Sequence, residues 1–152
     1  MQEMVEKAID LVRPTAKAIL ESNGTTWGPK WVDGYITAPG LDEAIPFTLG
    51  NKTAWDPAWG EERNFDRIAW KKLRVAERLG QKTSIIVAVS PWLLLDGEFM
   101  YPGGDSRYGI SSSASGGKGR ADECLASLLI EIVIMLANLE ADKRKETKEM
   151  QI

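Results

Sequence analysis

The feature that most constrains the fold is a strand, a glycine-rich loop and a long apolar helix in direct succession. Residues 108–114 have the composition of a β-strand, and the loop 115–120 that follows has the sequence SGGKGR. From about Ala121 the residues are apolar on nearly every side of a helix as far as Leu136. Such a helix needs cover on more than one side, so we expect it to pack on a sheet and on a second subunit.

The loop 115–120 is also a candidate ligand-binding element. Glycines let the backbone approach another molecule closely, and the helix start adds unsatisfied N–H donors that suit an anion. We therefore predict that Gly116, Gly117 and Lys118 contribute to a ligand site, with Arg120 in support. The alternative is a flexible connector whose donors are taken up by Asp122, the acid at the helix start.

An earlier helix carries a lysine on its apolar face. The periodicity predicts a helix from Asn64, as N-cap, to a stop at Gly80. Within it, Lys72 lies four residues after one apolar position and four before the next. A lysine there must extend to solvent, pair with a carboxylate, or point into a polar cavity. We predict that Lys72 lines a ligand site and that Lys71 faces solvent.

Two tryptophans in a polar loop are further candidates for the site. The chain has six tryptophans, a large number for its 152 residues. Trp55 and Trp59 lie in the Gly/Pro/Asp-containing loop 51–64, which has no core periodicity. Large aromatic side chains at such positions often line pockets, although each could equally cap the core. We predict that both contact the ligand.

Composition excludes several kinds of protein. The chain has no histidine, which removes Ser-His-Asp and Cys-His catalysis and histidine ligation of metals or haem. Its net charge of −3, with dispersed basic residues, argues against nucleic acid as a partner. The one cysteine, Cys124, is expected to be an inert core thiol. The acidic N-terminus lacks a signal-peptide pattern, and the apolar run 128–136 is too short to span a bilayer, so we expect a cytoplasmic location without membrane attachment.

The order of elements predicts an α+β domain with an antiparallel sheet. Residues 1–140 would form this single domain, and residues 141–152 a charged C-terminal tail that frays or projects. A strong hairpin signal surrounds Asp96-Gly97. The predicted helices are 4–20, 64–79 and from 121 onward, and the predicted strands are 31–38, 44–49, 83–89 (central), 92–95, 98–101 and 108–114.

Two motifs resemble those of the GlcG/HbpS-like proteins, formerly the DUF336 group. Members carry a helix I-A-x-x-K-A-x-x-A, and residues 68–76 are IAWKKLRVA, which places the family lysine on Lys72. Members also have a strand GAIGVSG, a short loop and D-E-x-x-A. Here residues 109–116 are GISSSASG and residues 122–126 are DECLA. The group includes haem-binding HbpS and the C-terminal domain of PduO-type proteins.

The resemblance implies a fold and a set of partners. The fold would be profilin-like, an antiparallel sheet of about five strands with flanking helices in an α/β/α arrangement. Members self-associate, so a homo-oligomer is expected. Haem binding through histidine cannot apply to a chain without histidine. Haem or another tetrapyrrole would need an unusual axial ligand, such as tyrosine, methionine or cysteine.

Three functions remain open from the sequence. The first is a small-ligand-binding protein with a pocket between the Lys72 helix and the loop 115–120, its ligand a partly apolar molecule such as a tetrapyrrole. The second is a cofactor-free lyase or isomerase acting on a small hydrophobic substrate in the same pocket, with Lys72 as acid or electrophile. Its base would be Asp33 or Asp122, and its proton donor Tyr35, Tyr101 or Tyr108. The third is an accessory subunit of a hetero-oligomeric enzyme.

Overall fold

The computed structural model of the chain describes residues 1–22, 30–59, 64–98 and 101–149. We number the elements in chain order, and two short 3-10 helices, Pro57–Trp59 and Pro91–Leu93, stand outside this numbering. The elements are α1 (Gln2–Ser22), β1 (Lys30–Thr37), β2 (Ile45–Asn51), α2 (Phe65–Leu79), α3 (Thr83–Val89), β3 (Gly104–Arg107), β4 (Ile110–Ser115) and α4 (Gly119–Glu149).

The four strands form one antiparallel sheet in the order β2-β1-β4-β3. At the middle of β1, Gly34 pairs with Phe47 of β2 and with Ala114 of β4. A Cβ atom at Gly34 would lie 2.3 Å from the Phe47 ring and 2.3 Å from the carbonyl oxygen of Ser113. Only glycine therefore lets β1 pack this closely between its neighbours.

Helices cover both faces of the sheet because side chains alternate along β1 and β4. The α2 helix lies on the face that carries Tyr35 and Ser113, and the Ser113 hydroxyl donates to the Ala69 carbonyl at 2.7 Å. The α1 and α4 helices pack together on the opposite face, against the main apolar core. That core includes Val5, Val12, Leu20, Val32, Ile36, Leu49, Ala114, Leu125, Leu129 and Val133.

Most of the helix and strand predictions are confirmed within one or two residues. The α2 helix begins where its cap predicts, with the Asn64 side chain accepting from the Arg67 N–H at 3.1 Å. It ends at Gly80, which has a left-handed φ of 64°. The α1 helix includes Pro14 and is not divided by it.

Residues 83–89 correct the predicted central strand, because they form the helix α3. Their apolar run is too short for periodicity to separate a strand from a helix. Tertiary contacts decide it, since the Glu123 carboxylate of α4 accepts from the Ser84 N–H at 2.9 Å and from its hydroxyl at 2.6 Å. The sheet of the described residues accordingly has four strands rather than about five.

The predicted hairpin around Asp96-Gly97 is also wrong in its first half. Pro91–Leu93 is a 3-10 helix and residues 94–95 are not in a strand, so no strand leads directly into the turn at residues 96–97. The second predicted strand, 98–101, includes residues 99 and 100, which lie outside the described residues. The third strand is instead β3, whose sequence GDSR carries no apolar pattern that would predict it.

The α4 helix continues through the charged residues as far as Glu149. Leu125, Leu129 and Val133 are buried on it, so the sheet and α1 supply much of the cover that its sequence requires. Cys124 is exposed, which corrects the prediction of a core thiol. Among the described residues, α4 is the single helix long and apolar enough to cross a membrane by length and composition, with 28% of its apolar window buried.

Candidate functional site

Lys72 is buried and paired. It is 3% exposed, and its Nζ lies 3.3 Å from Oδ2 of Asp122, which is 1% exposed. The same Nζ donates to the Ala114 carbonyl at 3.2 Å. A Cβ atom at Gly103 would lie 2.5 Å from Nζ, so the ammonium group is tightly enclosed. Of the three alternatives for this lysine, the structure shows pairing with a carboxylate. Lys71, predicted to face solvent, is half-buried.

The Lys72–Asp122 pair also organises the glycine-rich loop. The Gly117 N–H donates to Oδ1 of Asp122 at 2.9 Å, and the backbone of Gly116 is a further hydrogen-bond partner of this carboxylate. Asp122 therefore takes up loop donors that the sequence suggested for a ligand. Lys118 and Arg120 are exposed.

Burial and charge act in opposite directions on this pair. Burial lowers the pKa of Lys72, and this shift is opposed by the charge and hydrogen bond of Asp122 and by the charge of Glu123. Burial likewise raises the pKa of Asp122, whereas Lys72 and the backbone N–H groups favour its ionised form. The pair is consequently an interior ion pair whose charged state depends on both partners being present.

Four aromatic residues form a second structural feature beside the loop, which we call the tryptophan cluster: Trp31, Trp55, Trp59 and Phe65. The Trp31 ring centroid lies 6.5 Å from that of Trp55, 5.9 Å from that of Trp59 and 5.8 Å from that of Phe65. Trp31 is 2% exposed, and its indole N–H has no hydrogen-bond partner among the described residues. Trp27 lies outside the described residues.

Gly116 joins the loop to the tryptophan cluster. Its φ is 135°, and a Cβ atom there would lie 2.4 Å from the Trp31 carbonyl oxygen and 2.9 Å from the Phe65 ring. A side chain at this position would therefore displace both aromatic residues. The loop therefore packs against the tryptophan cluster through Gly116, and Asp122 holds it through the Gly117 N–H.

Two clefts lie along this end of the molecule. The cluster cleft has a volume of about 580 Å³, and the edge cleft beside β2 has about 830 Å³. These volumes are within the usual range of small-ligand sites. Asp33, Lys52 and Asp66 line both clefts, so the two are adjacent. The cluster cleft is lined by Trp31, Asp33, Lys52, Thr53, Trp55, Asn64, Phe65, Asp66 and Arg67.

The shared wall of the clefts carries polar groups from several elements. Asp33 accepts from the Thr48 hydroxyl at 2.7 Å and lies 3.6 Å from the Lys52 ammonium. The Tyr35 hydroxyl donates to Asp66. Burial, and then the bond to Asp66, raise the pKa of Tyr35 to about 12. The tyrosine therefore keeps its proton at neutral pH and holds Asp66 in place.

The predicted site residues fall into separate places. Lys72 and Asp122 meet each other, whereas Asp33 and Trp55 line the cluster cleft. Trp59 contacts that cleft's aromatic wall through Trp31. Tyr108 is an exposed residue at the turn between β3 and β4, with a φ of 54°, and Tyr101 is also exposed.

Sequence reasoning missed several residues that line the cluster cleft: Trp31, Lys52, Asn64, Phe65, Asp66 and Arg67. One signal was available for Asp66. Asp33 and Tyr35 are two residues apart on β1, so they share a face, and the start of α2 is the segment that covers it. The partner of Tyr35 could have been sought there.

The fold and this site define an α+β domain with one antiparallel sheet, a buried lysine–aspartate pair and an aromatic-walled cleft. The chain is similar in structure to the Klebsiella pneumoniae protein ORFY, described as matching the DUF336 family model. The TM-score is 0.53 with 18% sequence identity, over 87% of this chain and 86% of that one. The resemblance to the DUF336 group is therefore confirmed at the level of the fold. No protein-family model matches the sequence, and no curated protein matches it.

Proposed function

We propose that this protein binds a small, partly apolar ligand in the cluster cleft. The observation that carries the proposal is a cleft of about 580 Å³ with an aromatic wall and charged groups from three separate segments. Ligand sites combine a largely apolar lining with a few polar groups that fix orientation. Trp31 and Trp55 supply the apolar wall, and Lys52, Asp66 and Arg67 the polar contacts. The domain around it is of the profilin-like α/β/α type.

Lys72 and the loop 115–120 support this site from behind. Asp122 holds the loop through Gly117, and Gly116 packs against Trp31 and Phe65. The ligand lies on the far side of these aromatic residues. The pocket suggested by the sequence is therefore displaced toward the start of α2, with Lys72 as a positioning residue rather than a contact.

Haem does not fit the two clefts. Among the described residues, those that line the two clefts include no histidine, tyrosine, methionine or cysteine that could serve as an axial ligand. We therefore place the ligand among small metal-free molecules with an apolar body and a polar end. Haemin added to the protein should give no saturable shift of its Soret band.

The proposal is tested with fluorine-labelled tryptophan and two defined probes, benzoate and benzylamine. Trp55 lines the cleft and Trp92 does not, although both are exposed, so they form a matched pair. We expect saturable shifts of the ¹⁹F resonance that is absent from Trp55→Leu, with none at the resonance absent from Trp92→Leu. Equal shifts at both residues, or none with either probe, would contradict the proposal.

The alternative is an enzyme, a cofactor-free lyase or isomerase in the same cleft. The observation in its favour is the Tyr35–Asp66 pair, since Asp66 lines both clefts and Tyr35 keeps its proton. Asp66 could accept a proton from a substrate and return it, while the Tyr35 hydroxyl stabilises the carboxylate through its hydrogen bond. The enzyme hypothesis predicts turnover by chelated protein that Tyr35→Phe lowers while ¹⁹F shifts at Trp55 persist.

A further inference from the structure

The wall of the cluster cleft contains a buried hydrogen-bond donor that the protein leaves without a partner. Trp31 lines the cleft and is 2% exposed, and no acceptor for its indole N–H is found in the described part of the chain. Two other buried side-chain atoms share this condition, Nε of Arg107 and Oγ of Ser112, but neither residue is among those described as lining the two clefts. Buried polar groups are nearly always paired, because leaving one unpaired is unfavourable. The Trp31 N–H is therefore a donor that an acceptor on a ligand would satisfy.

Hydrogen bonding, rather than formal charge, decides which ligand the cleft accepts. Two acids and two bases line it, so its formal charge does not choose between an anion and a cation. Both acids already accept from the protein: Asp33 accepts from the Thr48 hydroxyl at 2.7 Å, and Asp66 accepts from Tyr35. Asp66 is also exposed, so water occupies its remaining acceptor sites. The need that neither the protein nor water meets in this cleft is therefore for an acceptor.

Arg67 adds a positive charge to the same cleft. Its backbone N–H donates to the Asn64 side chain, whereas its exposed guanidinium forms no hydrogen bond or ion pair with the residues that the structure describes. The other base, Lys52, already lies 3.6 Å from the Asp33 carboxylate. A guanidinium binds a carboxylate through two parallel hydrogen bonds, which gives the pair a defined geometry. Arg67 is therefore the base best placed to hold an anionic group of a ligand.

We propose that the polar end of the ligand is a carboxylate, so that the protein binds small aromatic or other apolar carboxylic acids. This inference rests on the ligand site proposed above. The carboxylate accepts from the Trp31 indole N–H and from the Arg67 guanidinium, while the apolar body packs on Trp55 and Phe65. A protonated amine fits less well, because it has no lone pair for the indole N–H and is repelled by the guanidinium.

The ligand reaches the indole N–H by displacing the ring of Trp55. The Trp55 ring meets that of Trp31 edge to face, with their centroids 6.5 Å apart and their planes at 77°. Trp55 is 37% exposed, and residues 52–56 are in neither a helix nor a strand. A rotation of this ring toward solvent therefore breaks no backbone hydrogen bond of the sheet. The carboxylate then takes the place of the Trp55 ring at the edge of Trp31.

NMR spectra of ¹⁵N-labelled protein test the proposal with three probes that share a phenyl ring: benzoate, benzamide and benzylamine. The indole N–H resonance of Trp31 is assigned from its nuclear Overhauser contacts with Phe65, whose ring centroid lies 5.8 Å away. Benzoate should move this resonance downfield and saturably, as a new hydrogen bond does, while that of the exposed Trp92 stays in place. Benzamide has the acceptor without the charge, and it should bind at least about threefold more weakly. Benzylamine should not move the Trp31 resonance.

A matched pair of arginines tests the role of charge. Arg67 and Arg74 are both exposed on α2, but only Arg67 is among the residues described as lining the cluster cleft. Arg67→Gln should raise the dissociation constant of benzoate about five- to tenfold, since a charge-assisted hydrogen bond is lost, and should change that of benzamide by less than about twofold. Arg74→Gln should alter neither constant. Thermal melts should show that both variants are folded.

The outcomes separate the carboxylate from the ligand site itself. Benzylamine that binds at least as tightly as benzoate would overturn the carboxylate and leave the cleft as a ligand site. A Trp31 resonance that stays in place at saturating benzoate, or equal effects of Arg67→Gln and Arg74→Gln, would do the same. Binding by none of the three probes would instead refute the proposed function, and this inference with it.

Discussion

Replacing Lys72 by methionine should destabilise the protein strongly. Methionine keeps most of the volume of the stem but removes the ammonium group that lies 3.3 Å from Asp122. Asp122, at 1% exposure, would then be a buried carboxylate with only backbone N–H partners such as that of Gly117. Removing one partner of a buried ion pair typically costs about 3–5 kcal/mol.

That cost is large against the stability of a domain, which is typically about 5–15 kcal/mol. For a chain of this size, about 1 kcal/mol lowers the melting temperature by about 2–4 °C. We therefore expect Lys72→Met to melt about 10 °C below the wild type. Urea unfolding followed by circular dichroism at pH 7 measures the same loss as a free energy.

The double variant Lys72→Met/Asp122→Asn distinguishes a charge effect from a packing effect. Asparagine retains the acceptor for the Gly117 N–H and leaves no buried charge, so the double variant should recover at least half of the loss.

The folding stability of Lys72→Met at acid pH gives an independent check. Burial raises the pKa of Asp122 in the folded state above its ordinary value of 3.8. Above the folded-state pKa the ionised carboxylate lowers the folding stability, and this loss becomes smaller as the pH falls toward 3.8. The deficit of Lys72→Met should shrink in that direction. A loss of folding stability under about 1 kcal/mol in Lys72→Met would refute the reasoning. A double variant less stable than both Lys72→Met and Asp122→Asn would refute it as well.

Three further outcomes are expected. Absorbance titration should find one tyrosine with a pKa of about 12; this titration should be absent from Tyr35→Phe, and the pKa should be lower in Asp66→Asn. Because the pKa of Tyr35 is raised in the folded state, its contribution to folding stability is complete below pH 10.0 and is lost as the pH rises through about 12. Gly34→Ala should cost about 1–3 kcal/mol or more in thermal melts, since its Cβ meets the Phe47 ring, whereas Gly119→Ala should not. Asn64→Ala should cost about 0.5–2 kcal/mol through the lost helix cap, and an unchanged melt would contradict it.

Local signals in the sequence were sufficient for the helices that have caps or long periodicity. Asn64 and Gly80 determine both ends of α2, and the apolar spacing from Val5 to Leu20 predicts α1. The segment 83–89 lacked such signals. Its helix depends on contacts between its first turn and Glu123, which lies forty residues further along the chain. The strand β3 was equally hidden, since its small and polar residues are buried by pairing with β4 rather than by an apolar pattern.

The site was predictable only in its unusual residues. Lys72 was recognisable because a cation on an apolar helix face requires a partner, and Asp122 was among the acids considered. The cluster cleft was not recognisable, because its wall combines β1, the segment after β2 and the start of α2. The local sequence around Trp31 does not indicate that these segments meet, and the one signal for Asp66 was the shared face of Asp33 and Tyr35 on β1.

The two features of the site act on each other through one short piece of backbone. The Lys72 ammonium holds Ala114 and Asp122, and Asp122 holds Gly117, so the chain leaves β4 along a fixed path. That path brings Gly116 against Trp31, where no larger residue fits. The position of the aromatic wall therefore depends on an ion pair that does not itself line the cleft. For this reason a change at Lys72 that leaves the protein folded should alter ligand affinity through the loop, without any direct contact with the ligand.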